Sequence, residues 1–497
     1  MQFFLRKHFG KNQGRNRTYD IPIIHIFICI LSGFIYDLLY LDRKEKKNWA
    51  DIFLSAMSIL FYAYGNVKLI YFLVFEVILN YSIYKLILVS AGKEKYNLKK
   101  ALLFIGVVLN LFVLFYYKYY NFFVENWNGI FKTQHSFKNL IVPLGISFIT
   151  FQQIAFLVDA YRDEVKKCTL LEYIVFVTFF PHISAGPIIT QDQFLPVLRS
   201  KEREQINWEK IDRGFFLFAF GLGKKILLAD VFGRAVDWGY GNISSLNAVS
   251  MFLITVFYSF QIYFDFSGYS DMAIGISWML NLDLPVNFES PYQAWSVTEF
   301  WKRWHISLTR FLTKYVYIPL GGSRKGKTRT RFNTLLVFLC SGIWHGANWM
   351  FILWGAIHGI AMIVTKEVRN HNVRVPGIWN RILTLLFVNF TWIIFRTSGF
   401  SELREIFDAF LRGGILIDNR LFQFFGLTTN SRYTLICGIV LVLLTVMVLL
   451  VLVFMPNAKQ ITEKMKLKTV YGIAAIGVIV LCILHFSGVS SFVYFNF

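Results

Sequence analysis

The chain has 497 residues, of which 56% are apolar, 18% aromatic and 16% charged, and its formal net charge is +21. Soluble globular proteins carry roughly 25% charged residues, and no single soluble core of this size hides so much apolar surface. These figures exclude a disordered chain, a collagen-like repeat and a disulfide-stapled secreted domain, and they leave a polytopic α-helical membrane protein.

Residues 1–20 form a basic, polar N-terminal extension without a small-residue cleavage site, so the first apolar run reads as a retained anchor. That run is Ile21–Leu41. It is followed by Ile52–Tyr64, Leu69–Val89, Ala101–Tyr117, Leu140–Val158, Leu170–Ile189, Gly214–Val231 and Ala248–Phe266. The last five are Thr334–Trp344, Met350–Val364, Ile382–Phe395, Tyr433–Phe454 and Val470–Phe486. Since about 20 apolar residues cross a bilayer core, the pattern predicts about 11 to 13 membrane helices in one membrane domain over residues 21–497. Basic clusters fill the gaps, and Arg324 to Arg331 places five cations in eight residues. By the positive-inside rule such loops face the cytoplasm. The cationic excess is therefore a topology signal, with no nucleic-acid partner.

The stretch Pro285 to Arg331 breaks this pattern. Ser296-x-x-Glu299 has the form of a capping box and predicts a helix from Val297. Trp301, Trp304, His305, Leu308 and Leu312 would share one face of that helix. The expectation is an amphipathic helix that lies at the cytoplasmic interface or dips partly into it, ended by Pro319 and Gly321-Gly322.

Ionisable groups inside apolar runs carry the functional signal, because burying one in lipid costs roughly 2.5 to 3.5 kcal/mol. His345 lies in Ser341-Gly342-Ile343-Trp344-His345-Gly346-Ala347-Asn348, with apolar sequence on both sides. His305 is the second candidate. For each, the alternative is a structural histidine satisfied by a neighbouring helix or the interface. His182 sits on a Pro- and Gly-broken segment that reads as re-entrant, and His358 closely follows His345. Asp265 and Asp271 end an apolar run and would orient a histidine, bind a cation or secure a broken helix. The cysteines (Cys29, Cys168, Cys340, Cys437, Cys482) have neither ligand nor disulfide spacing, so no metal site is expected. No nucleophile elbow, phosphate loop or zinc-protease motif occurs. A desolvated, neutral histidine suits general-base work on a hydroxyl attacking an activated acyl carbon.

Several motifs in order carry a resemblance. YFDFSGYSDMAIGISWMLNLDLPVNFESPY, TEFWKRWHISLTRFL, YVYIPLGGSR and SGIWHGANWMFILWGAIHG resemble the membrane-bound O-acyltransferase family. VPLGISFITFQQIAFLVDAYR, FFPHISAGPI, FYAYGN and the ending FVYFNF support it. Within the family the likeness is to the bacterial branch typified by the alginate O-acetylation membrane protein. The resemblance implies tilted, re-entrant and amphipathic helices around a central tunnel, with a catalytic core at about residues 250–365. It implies His345 as catalytic base and His305 in support, with Asp265, Asp271, Trp344 and Asn348 around them. It also implies acetyl-CoA as donor substrate rather than bound cofactor. The basic patch Arg324 to Arg331, with Arg324, Lys325 and Lys327, would suit that donor's phosphates, or else serves only as a topology anchor. The acceptor would be an exported polysaccharide, reached through an extracytoplasmic SGNH-type partner from the bacterial cytoplasmic membrane. Ile318 to Gly322 (IPLGG) favours the acetylating branch over D-alanyl transfer to teichoic acid. Asn348 departs from the Ser or Thr common after WHGA. Peptidoglycan and other acceptors, a lipid or protein substrate, and a non-enzymatic polysaccharide exporter are the competing expectations.

Overall fold

The computed structural model describes residues 47–485, apart from 66, 93–94, 166, 185, 372–376, 428–432 and 467. The N-terminal extension, the run Ile21–Leu41, Cys29 and the ending FVYFNF lie outside the described residues. Among those described, every regular element is a helix.

The helices that build the site are α1 (Lys47–Gly65), α2 (Ile70–Gly92), α3 (Tyr96–Leu114), α4 (Tyr120–Phe131) and α5 (Ile146–Tyr161). They continue with α6 (Leu170–Thr178), α7 (Trp208–Gly223), α8 (Asp230–Gly241), α9 (Ala248–Met279), α10 (Val297–Arg303) and α11 (Ile306–Leu312). Next come α12 (Gly326–His345), α13 (Trp349–Asn370), α14 (Gly377–Arg396), α15 (Phe400–Leu411), α16 (Thr434–Phe454) and α17 (Thr469–Leu484).

Among the described residues, six helical stretches are long and apolar enough to cross a bilayer: Ile70–Ala91, Tyr96–Phe131, Ala248–Met279, Trp349–Arg369, Gly377–Arg396 and Thr434–Phe454. The protein is therefore a polytopic membrane protein. Several of the other apolar runs are bent or interrupted. Leu170–Ile189 divides after α6, where Pro181 starts a separate short helix, Phe180–Ile183. Leu140–Val158 opens as extended chain, and Gly145, at φ +67°, turns it into α5. In α12 the apolar run forms the second half of a helix whose first turns are basic.

The long helix α9 is buried along most of its length and is the axis of the molecule. It packs antiparallel to α7 through two glycine pairs. A Cβ on Gly214 would stand 2.5 Å from the Gly275 carbonyl oxygen, and one on Gly221 would stand 2.6 Å from that of Gly268. Backbones this close are the small-residue packing of membrane helices. Buried ion pairs reinforce the same seam. Lys225 Nζ lies 2.8 Å from both Asp230 Oδ1 and Asp265 Oδ1, and Lys224 Nζ lies 2.5 Å from Asp271 Oδ2.

The expected single amphipathic helix is instead two short ones. Ser296 does cap α10, accepting from the Glu299 amide at 3.2 Å. The Glu299 carboxylate returns to the Trp295 amide rather than to that of Ser296, at 2.9 Å. The helix then stops at Trp304, and His305 takes a left-handed conformation, φ +46°, before α11 begins. The aromatic face is turned inward, with Trp304 and His305 1% and 0% exposed. The aromatic face meets protein on all sides: Trp304 packs on Phe300, Phe288 and Trp392.

Candidate active site

His345 is the last residue of α12, and the chain leaves the helix at once, because Gly346 is fully extended at φ −169°. Its ring is buried among Trp344, Trp354 and Phe395, with centroids 5.0, 5.2 and 5.2 Å away. The final carbonyls of a helix have no partner within it and carry the negative end of its dipole. Here they are met from the turn between α3 and α4. Lys118 Nζ donates to Trp344 O at 2.8 Å, to His345 O at 3.1 Å and to Ser147 Oγ at 3.0 Å. Tyr119 OH donates to Ile343 O at 2.7 Å. Residues Phe115–Tyr119 form a π-helical turn, a rare insertion frequent at functional sites. It swings Lys118 and Tyr119 onto the end of α12.

His305 faces this group, its ring centroid 6.4 Å from that of His345 and 5.8 Å from that of Trp344. Asn287 holds the kink. Its Oδ1 accepts from His305 Nδ1 at 3.1 Å, Ser307 Oγ at 2.9 Å and Ser307 N at 3.3 Å, and its carbonyl accepts from Ile306 N. With Nδ1 donating, Nε2 carries the ring's lone pair. His305 lies outside the six spanning stretches, and burial pushes it down to about 3, so its ring stays neutral at ordinary pH.

The two sequence-predicted histidines are thus brought together, with Trp344 between them. Trp344 stacks on Phe151 and donates from Nε1 to Ser147 O at 3.3 Å. Asn348 caps α13, accepting from Met350 N at 2.8 Å and donating to Ser398 O at 2.7 Å. Asp265 and Asp271 bind the lysines of the α7–α9 seam. Phe266, next to Asp265, reaches the site and packs edge-on against His305 at 4.9 Å. His358 Nδ1 accepts a hydrogen bond from Trp301 Nε1 and its Nε2 donates to Thr391 Oγ1, both at 3.1 Å, and so the ring is held between helices. His182 donates to Phe176 O.

A cavity of about 640 Å³ opens beside α12. Its mouth carries Lys302, Lys327, Arg331, Lys366 and Arg369, with Glu367 paired to Arg331 at 3.0 Å. Along α12 the lining runs through Lys327, Thr330, Thr334, Val337 and Phe338 to Ser341. These residues form one helical face, and His345 is the next position on it. Of the three cations expected at the donor phosphates, Lys327 lines the cavity, while Arg324 and Lys325 are exposed on the preceding turn. Lys118, Asn287 and Ser341 escaped sequence reasoning. A lysine at the end of an apolar run reads as an interface anchor, and single Asn and Ser residues carry no pattern. Among the described residues, no group of three or more His, Cys, Asp or Glu residues could hold a metal ion.

Fold and site together define a membrane-embedded enzyme with a buried histidine at a helix end, next to a cation-lined cavity. The chain belongs to the MBOAT family, the membrane-bound O-acyltransferases, whose family model matches residues 78–400. It is an acyltransferase. It is 36% identical to the peptidoglycan O-acetyltransferase of Helicobacter pylori, over 78% of each chain. To the Pseudomonas aeruginosa protein named "Probable alginate O-acetylase AlgI" it is 32% identical, over 78% of this chain and 74% of that one. To the teichoic acid D-alanyltransferase of Bacillus subtilis the figure is 28%, over 65% of this chain and 85% of the relative.

Proposed function

We propose that this protein takes an acetyl group from acetyl-CoA at the cytoplasmic face of the bacterial cytoplasmic membrane. It passes the group on for O-acetylation of a cell-wall or exported polysaccharide. The observation that carries the reading is the cavity, which leads from a ring of cations along one face of α12 toward His345. The cations suit the phosphates of the donor. The walls beyond, with Trp301, Leu308, Leu312 and Phe338, suit the arm that ends in the thioester. From Lys327 to Ser341 the helix rises about 21 Å, enough depth for that arm.

In this reading His345 accepts the proton of the attacking hydroxyl as the oxygen bonds to the acyl carbon. The C–S bond then breaks, the thiolate leaves with the electron pair, and the proton returns to it from His345. His305, fixed by Asn287, supports the same space from the opposite side. In this reading the group then moves on past His345 to the outer face, where an SGNH-type partner transferase completes the modification. D-alanyl transfer to teichoic acid is the second reading, favoured by the weaker likeness to the D-alanyltransferases.

The test compares surface polysaccharides from cells making wild type, His345→Ala or His305→Ala at matched membrane levels. Loss of O-acetyl groups with His345→Ala, with the polymer still exported, supports the proposal and identifies the acceptor. Loss of ester-linked D-alanine instead moves the second reading to the front. Unchanged acetylation refutes the catalytic role of His345.

A further inference from the structure

One hydroxyl beside the cavity has no partner within the fold. Ser341 lies on α12 at the deep end of the lining, one turn before His345, and is 2% exposed. Its Oγ is buried and has no hydrogen-bond partner. Serine and threonine in a helix usually donate back to the carbonyl four residues earlier. The other two hydroxyls on this cavity-lining face do so: Thr330 to Gly326 O and Thr334 to Thr330 O, both at 2.8 Å. Buried Ser277 on α9 does the same, to Ala273 O at 2.8 Å. Ser341 alone among these four keeps its proton undonated, at the last lining position of α12 before His345. A buried polar group left unpaired by the fold calls for an explanation such as a catalytic role or an ordered water or ion.

We infer that the Ser341 hydroxyl donates a hydrogen bond to the carbonyl oxygen of the donor's thioester, and so is a further catalytic residue of the acyl transfer. The inference rests on the acetyl-CoA reading of the cavity. Residues four apart on a helix lie over one another, with Cβ atoms about 5 to 6 Å apart. An acyl carbon held between Ser341 and His345 therefore meets a hydrogen-bond donor on its oxygen and the base on its attacking nucleophile. No bond to Ser341 forms or breaks. As the acceptor oxygen adds to the acyl carbon, the carbonyl electron pair moves onto the oxygen, and the Ser341 O–H stabilises that charge. The pair returns as the C–S bond breaks.

The test uses full-length protein in membrane vesicles supplied with radiolabelled acetyl-CoA, counting label transferred to polysaccharide, for wild type, Ser341→Ala, Ser341→Thr and His345→Ala. Ser341→Ala removes one oxygen atom without enlarging the side chain, and a melting curve in detergent confirms that each variant is folded. The expected result is a fall in kcat of about 10²-fold in Ser341→Ala, with KM for acetyl-CoA within about twofold of wild type. Ser341→Thr, which keeps the hydroxyl, retains most of the wild-type rate. A wild-type kcat in Ser341→Ala beside an inactive His345→Ala overturns this inference and leaves the proposed function standing. So does a loss confined to KM, or an acetyl group found covalently on the Ser341 peptide. Absence of any label transfer by the wild type overturns both.

Discussion

Lys118 spends all three of its ammonium protons on the end of α12 and on Ser147. It is therefore a positioning residue: it holds the backbone of His345, while the ring is set by Trp344, Trp354 and Phe395. Lys118→Met is expected to cost about 2 kcal/mol of stability, read as a lower detergent melting temperature. It should also lower acetyl transfer with little change in KM for the donor. At His305 backbone and ring are separable, because asparagine tolerates positive φ better than most residues. His305→Asn should stay folded, with a melting temperature close to wild type, while O-acetylation falls. Wild-type acetylation in that variant would limit His305 to shaping the turn. Both histidines were legible in the sequence as ionisable groups in apolar surroundings. Their supports were not, since Lys118 and Asn287 act through carbonyls and kinks that no side-chain periodicity records.

Among the elements, the seam between α7 and α9 fixes the floor of the site, for α9 also carries Phe266 against His305. Lys225 joins Asp230 at the start of α8 to Asp265 on α9 within a core that water does not reach. Removing one partner of such a cluster leaves buried charge behind and costs about 3–5 kcal/mol. Lys225→Met is accordingly expected to lose folded protein from the membrane. Adding Asp230→Asn and Asp265→Asn should recover part of the loss, measured as monodisperse protein after extraction. The carboxylates stood out in the sequence, but their lysine partners lie 40 or more residues away, inside the apolar run Gly214–Val231. The glycine pairs were equally hidden, since two sevenfold spacings become a contact only once antiparallel packing is known. The cap at Ser296 was legible because it is local. The break at His305 was not, because Asn287 imposes it from outside the helix.

For the whole molecule, the net charge of +21 is not spread evenly. Part of it gathers at the cavity mouth on α10, α12 and α13. Charge reversal there, Lys327→Glu with Arg331→Glu, should raise KM for acetyl-CoA by about 10-fold, the scale of about 1.4 kcal/mol, and leave kcat nearly unchanged. Wild-type KM should itself rise with ionic strength, as exposed charges are screened. A donor KM indifferent to both changes would remove the mouth from donor binding. The family and membrane class were legible from composition and motif order. Where an apolar run breaks was less legible: Leu170–Ile189 divides at Phe179 and Pro181, and its residues there are buried in protein.

The cation-lined mouth has one more consequence. Under the proposed reading it grips the phosphates, the part of the donor that is identical before and after the acetyl group has left. Spent coenzyme therefore competes with charged coenzyme on nearly equal terms. The rate of surface acetylation would follow the ratio of the two in the cytoplasm rather than the amount of either, so that wall chemistry keeps pace with the cell's carbon supply.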